Sequence, residues 1–271
     1  MAIVTQHTLW HISVSHFSEK ARWALDYKQV SYRVRAPLPG AHIPVALWLT
    51  RGRHYTLPVI EIDGERIGDS TAIIAALEQR HPEPPLYPRD PAQRRRALAL
   101  EDWFDEELGP YIRRFVFHEL GRDPERFAEI GALTAPRAFH LMGRTGAAYA
   151  TTMTGLRYRA RSTRAAETAR QRVIAAIDRL EAELGAGDYL AGESFSVADL
   201  TAAALLYPLV RPPEAHVTID RMPEAVERLR AQLRERRGYR WVEQMFRRHR
   251  RPVAARGGAG ERAHAPSEIA R

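Results

Sequence analysis

The stretch "LPVIEIDGERIGDSTAIIAALEQR", Leu57–Arg80, decides the fold. Short β-prone runs flank Asp63-Gly64, a pair that accepts the positive φ angles of a two-residue turn, so the segment reads as a tight hairpin. From Ser70 the apolar spacing changes to that of a helix. Working upstream, "VSYRVR" (Val30–Arg35) alternates as a strand, Phe17, Ala21, Ala24 and Leu25 keep a helical period, and "TLWHI" (Thr8–Ile12) reads as a first strand. The predicted order is βαβ, an irregular piece, then ββα.

Downstream, "HPEPPLYPRDP" (His81–Pro91) carries five prolines in eleven residues, which ends the helix and reads as a linker. Beyond it no strand hairpin is evident. Stretches such as "AETARQRVIAAIDRLEAELGAG" are helical, with Gly185 near the stop. The expected organisation is an α+β domain over 1–80, a linker over 81–91, an all-α domain over 92–250 and a disordered basic tail over 251–271, too rich in Gly, Ala, Pro and Arg to offset chain entropy. In "GESFSVADLTAAALL", Ser196 and Asp199 have capping-box spacing and Phe195 can staple to Leu200. That cap stabilises by about 1 kcal/mol and is read as folding chemistry, not a ligand site.

At 271 residues and 45% apolar composition the chain can fill a sizeable core. No apolar run reaches the ~18 residues of a membrane span, and "MAIVTQHTLW" lacks a basic leader and a cleavage site, so the expectation is a cytoplasmic protein without a membrane partner. With no cysteine, disulfides, zinc thiolates and protein-thiol redox cycles are excluded, and no metal site is expected. The net charge of +8 is local. Residues 228–271 hold 13 Arg against 4 Glu, and the whole chain has only two lysines, Lys20 and Lys28, beside 39 arginines. Such a segment reads as solvated surface. No aromatic-interleaved or helix-turn-helix signal argues for nucleic acid.

Four stretches, "LWHISVSHFSEKARWAL", "LPVIEIDG", "GDSTAI" and "FSVADLTAAALL", together resemble the cytosolic glutathione transferases, in the right order across both domains. The resemblance implies a thioredoxin-like first domain, an all-helical second one and a homodimer. It also implies glutathione as co-substrate, no other cofactor, and a small hydrophobic electrophile as second substrate. Pro58 would be cis and Val59 would offer free backbone groups to the cysteinyl part of glutathione, as an added strand does. Asp69 and Ser70, at a helix N-terminus, would hold the glutamyl amine and carboxylate, although each also suits a plain helix cap. The glycyl carboxylate lacks an obvious partner, because Thr56 stands where a basic or amide side chain is usual. His42 and Arg53 are the candidates.

Counting back from Arg22-Trp23-Ala24-Leu25, Ser15 falls where serine-type families (theta and zeta) place their active serine and where omega-type and glutaredoxin proteins place a cysteine. Ser15-His16-Phe17-Ser18 thus matches a Cys-x-x-Cys site with both sulfurs replaced. This points away from disulfide exchange and toward conjugation with Ser15 as the catalytic residue. Ser13 and Ser18 compete for that role. His16 replaces the proline common after the active residue and, alone at a helix start, reads as a surface residue. Aromatics such as Trp103, Tyr111 and Phe115 fit a helical core stripe. A non-catalytic binding protein on the same scaffold is the alternative, since fold does not fix function.

Overall fold

A computed structural model describes residues 7–37, 41–133, 155 and 160–251. The expected tail from 251, all but its first residue, lies outside the described residues, as do parts of the helical domain between 134 and 159. Chain order begins with β1 (His7–Trp10), α1 (His16–Tyr27), β2 (Tyr32–Arg35), α2 (His42–Leu49), β3 (Val59–Ile62), β4 (Glu65–Gly68) and α3 (Ser70–Arg80). The sheet order is β2-β1-β3-β4, with β1 parallel to β2 and the other pairs antiparallel. Asp63 and Gly64 take φ of 50° and 81°, the left-handed pair that this hairpin demands.

Alternation along the strands sorts the two sheet faces. Leu9, Ile60 and Ile62 join the main core with Ala21, Trp23, Ala24 and Leu25 of α1 and Ile73, Ile74 and Leu77 of α3. Val59 and Trp10 face the other way, against Ala46 and Leu49 of α2. The piece between β2 and β3, expected to be irregular, therefore contains a helix. Its sequence "HIPVALWL" has no amphipathic stripe and no capping side chain, and Pro44 is tolerated because it sits in the first turn.

The described remainder is helical: α4 (Pro91–Glu107), α5 (Gly109–Gly121), α6 (Pro124–Ala132), α7 (Thr163–Leu184), α8 (Val197–Val210), α9 (Glu224–Leu233) and α10 (Arg237–His249). All fourteen residues of α8 are buried, and α1, α4 and α10 pack around it, so the second domain's core helix also supports the first domain's α1. The capping box between Ser196 and Asp199 forms as its spacing predicts. Asp199 does more than cap: Oδ1 also accepts the Leu190 N–H at 2.8 Å, pinning the preceding loop. Where α4 gives way to α5, a Cβ on Gly109 would lie 2.5 Å from Phe17 Cζ, so a side chain here would require the Phe17 ring to shift. Among the described residues no helix is long and apolar enough to cross a membrane, and no group of three side chains could hold a metal ion.

Candidate functional site

Strand register assembles the site. Val59 is paired with Trp10 on one side and Gly68 on the other, and Trp10 is paired in turn with Arg35. At that single row the chain leaves β1 toward Ser15, leaves β2 toward α2, enters β3 from Leu57-Pro58, and leaves β4 into Asp69 and Ser70. All the candidate segments, with the N-termini of α1 and α3, thus converge on one end of the sheet, although 11–15, 57–58 and 69–70 are far apart in sequence.

Ser15 is the N-cap of α1 (φ −80°, ψ 129°), half-buried, its Oγ accepting from the Ser18 N–H at 3.4 Å. A hydroxyl has one donor and two acceptor lone pairs, so this cap consumes a lone pair and leaves the proton to give. Ser18 is fully buried and its Oγ accepts the Ile12 N–H at 3.2 Å, while Ser13 is buried and its main-chain carbonyl accepts from Arg22. Of the three, Ser15 is the one at the N-cap of α1 and the least buried.

The peptide Leu57-Pro58 is cis. The expectation for Val59 needs correction, because it sits inside the ladder with a strand on each side and is fully buried. Leu57, two residues before the ladder begins, has a backbone N–H and C=O with no partner among the described residues, and it is the group that an extended peptide could pair with. The physical reason is that the open edge begins where strand pairing stops, which is before Pro58.

Asp69 holds φ 77° and ψ 135°, a conformation costly to a residue with a side chain by about 1–3 kcal/mol. It is kept there by its own carboxylate, whose Oδ1 accepts from Thr71 N–H (2.9 Å) and Ala72 N–H (3.2 Å). Asp69 is therefore a cap in fact, exposed, while Ser70 is buried at the first helical position. Beneath them a charged cluster joins three helices across the domain boundary. The Lys20 ammonium is within 2.9 Å of Thr71 Oγ1, 2.8 Å of Glu101 Oε1 and 2.5 Å of Asp105 Oδ2. Of the two glycyl-carboxylate candidates, His42 is half-buried at the first residue of α2, and Arg53 is exposed and spends its Nε on the Thr50 carbonyl at 3.2 Å.

His16, expected at the surface, is buried against the second domain, its Nε2 3.1 Å from the Gly109 carbonyl. That carbonyl can only accept, so Nε2 carries the proton. Burial, reinforced by the charge of Arg113, lowers its pKa to about 3, so His16 is neutral near pH 7 and supplies no acid–base switch there. The consequence is for stability. The unfolded chain takes up a proton near 6.5 while the folded chain refuses it until about 3. Stability from this group is thus present above pH 6.5 and lost as pH falls, at about 1.4 kcal/mol per pH unit. His11, lowered well below 6.5 by burial and by Arg22, acts in the same direction, whereas Asp199, raised by burial to about 6, opposes one of them between 6 and 3.8. Thermal melts through this range are expected to show the loss setting in below pH 6.5, more shallowly for His16→Gln; equal slopes for the two proteins would refute the assignment.

Residues 9–85 match the family described as glutathione S-transferase, N-terminal domain, and residues 163–243 match that described as glutathione S-transferase, C-terminal domain. The chain is 30% identical over 137 residues to FtsZ-localized protein A of Caulobacter vibrioides, covering 47% of this chain and 56% of that protein. It is 28% identical over 133 residues to probable maleylacetoacetate isomerase 1 of Drosophila melanogaster, covering 45% and 51% respectively. The chain thus spans about half the length of these curated relatives. Among solved structures, the theta class glutathione S-transferase of Xanthomonas axonopodis pv. citri with glutathione bound aligns at a TM-score of 0.53 and 20% identity, over 87% of this chain and 96% of that one. At that identity the likeness speaks for the fold.

Proposed function

Since this chain belongs to the glutathione S-transferase superfamily, we propose that it binds glutathione at the Trp10–Val59–Gly68 end of its sheet and ionises the thiol for attack on a small hydrophobic electrophile. The observation that carries this reading is the Ser15 hydroxyl at the mouth of α1, which accepts one bond and has no acceptor for its own proton among the described residues. A thiol with pKa near 8.5 is only about 3% ionised at pH 7, and reaching about 6.5 takes roughly 2.7 kcal/mol. One hydrogen bond to the charged sulfur contributes about 1.5–3 kcal/mol and the helix terminus about 0.3–1. Ser15 and its helix suffice without a general base, which accords with a neutral His16.

Glutathione enters as co-substrate, its cysteinyl backbone against Leu57 and its glutamyl end at Asp69 and Ser70. Thiolate attack then forms the carbon–sulfur bond as the electrophile's leaving group departs with the bonding pair, so the protein supplies ionisation and proximity. The working unit in this reading is a homodimer.

Wild type is expected to bind immobilised glutathione and to conjugate a chloronitroaromatic. Ser15→Ala is expected to retain binding and lose about 10–100-fold in turnover, the equivalent of the lost hydrogen bond. Full activity in Ser15→Ala would sink the serine mechanism. A second reading, a non-catalytic interaction protein, is supported by a relative named for its localisation with FtsZ and by Thr56 at the position of the usual glycyl-carboxylate partner. Absence of glutathione binding by wild type would select it.

A further inference from the structure

Arg250, which follows the last residue of α10, does not point into solvent. It is 3% exposed, with Nε donating to Glu19 Oε1 at 2.7 Å and Nη1 paired to Asp26 Oδ2, both on α1. The second oxygen of Glu19 accepts from Arg22 Nε (3.0 Å) and Nη2 (2.7 Å). Arg22 Nη2 then donates to the Ser13 carbonyl at 3.0 Å, and its Nη1 lies 2.5 Å from His11 Nδ1. Glu19, Arg22 and His11 are all at most 1% exposed. A buried line of charge thus runs from the C-terminal end of the helical domain to the backbone of the loop that ends in Ser15.

The arrangement has a reason in charge balance. Glu19 is fully buried, and its carboxyl is held down at about 2, against the cost of desolvation, by Arg250 and Arg22. Each of its oxygens takes one guanidinium. Without Arg250 the Glu19 carboxylate is free to rotate toward Arg22 alone, and Arg22, shared among Glu19, His11 and Ser13, loses its fixed position. We propose that Arg250 is a positioning residue for Ser15, acting through Glu19 and Arg22 on the 11–15 loop. The thiol-activating role of Ser15 rests on the reading above; the mechanical link does not.

The test uses the full chain as Arg250→Met and Arg250→Lys, with the exposed neighbour Arg248→Met as control. Amide hydrogen exchange of a peptide spanning 11–18 is read where every variant is folded. Arg250→Met is expected to raise exchange at the Ser15 N–H, which donates to the Ile12 carbonyl, by about tenfold, Arg250→Lys by about threefold, and Arg248→Met not at all. With glutathione bound, the thiolate ultraviolet signal is expected to fall in the same order, and turnover to drop about 10–100-fold with the electrophile KM within about twofold. Wild-type exchange over 11–18 in both Arg250 variants would overturn the proposal, even if they melt earlier. If Arg250→Met fails to fold, Arg250→Lys decides alone: exchange and thiolate signal identical to wild type overturn it. A wild type that binds no glutathione removes the functional reading, and the exchange measurement still judges the link.

Discussion

Lys20→Met is expected to destabilise the protein by about 3–5 kcal/mol. The ammonium is fully buried between α1, α3 and α4, with three acceptors for its three protons: Thr71 Oγ1, Glu101 Oε1 and Asp105 Oδ2. Methionine matches the stem's volume, so the loss is one of charge, leaving Glu101 in a site whose desolvation already pushes its carboxyl upward. Lys28 is built alike, with Glu78 Oε1 at 2.6 Å and the carbonyls of His81 at 2.7 Å and Pro84 at 3.0 Å. A chain with 39 arginines thus has each of its two lysines where a compact ammonium meets three converging acceptors, a geometry that a planar guanidinium does not fit. Denaturant unfolding of Lys20→Met, Lys20→Arg and Lys20→Met/Glu101→Leu checks this. The double variant should recover part of the loss, because it removes the fully buried carboxylate and leaves only that of Asp105, which is partly exposed. A change under about 1 kcal/mol in Lys20→Met would contradict it.

Asp199→Ala is expected to cost about 2–6 kcal/mol, from two orphaned buried amides at about 1–3 each. Its Oδ1 accepts from Leu190 N–H at 2.8 Å and its Oδ2 from Ser196 N–H at 2.9 Å and Ser196 Oγ at 2.7 Å. The effect exceeds that of an ordinary cap because α8 is buried along its whole length, so the orphaned amides lack the bulk solvent that an exposed helix end keeps. Asp199→Asn keeps one acceptor oxygen and should lose less. Because α8 packs on α1, a folded Asp199→Ala is also expected to loosen α1 in amide exchange. Unfolding free energies for the three proteins decide it, and near-equality of Ala and wild type would refute the role.

These two side chains differ in how far their roles were legible in the sequence. Asp199 was readable as part of a capping box, because Ser196 and Asp199 are local partners with a fixed spacing. Its second bond to Leu190 was not, since the loop's path to it depends on the whole domain. Lys20 carried no signal at all, its partners standing 51, 81 and 85 positions away. Similarly, Ser15 was recognisable as a helix cap with a spare proton, while the burial of His16 against Gly109 depends on a neighbour from the other domain.

The order βαβ–ββα, the helical second domain, the Asp63-Gly64 hairpin and the helix starts at Ser15, Asp69 and Ser196 follow from the amino-acid sequence, because turns, caps and periodicity act over a few residues. Tertiary structure alone decided that α2 forms, that Leu57 rather than Val59 faces the open edge, that both lysines are caged, and that Arg250 reaches the loop of Ser15. Each depends on register or on charges meeting across the fold, and buried charge is stable only where distant partners arrive together.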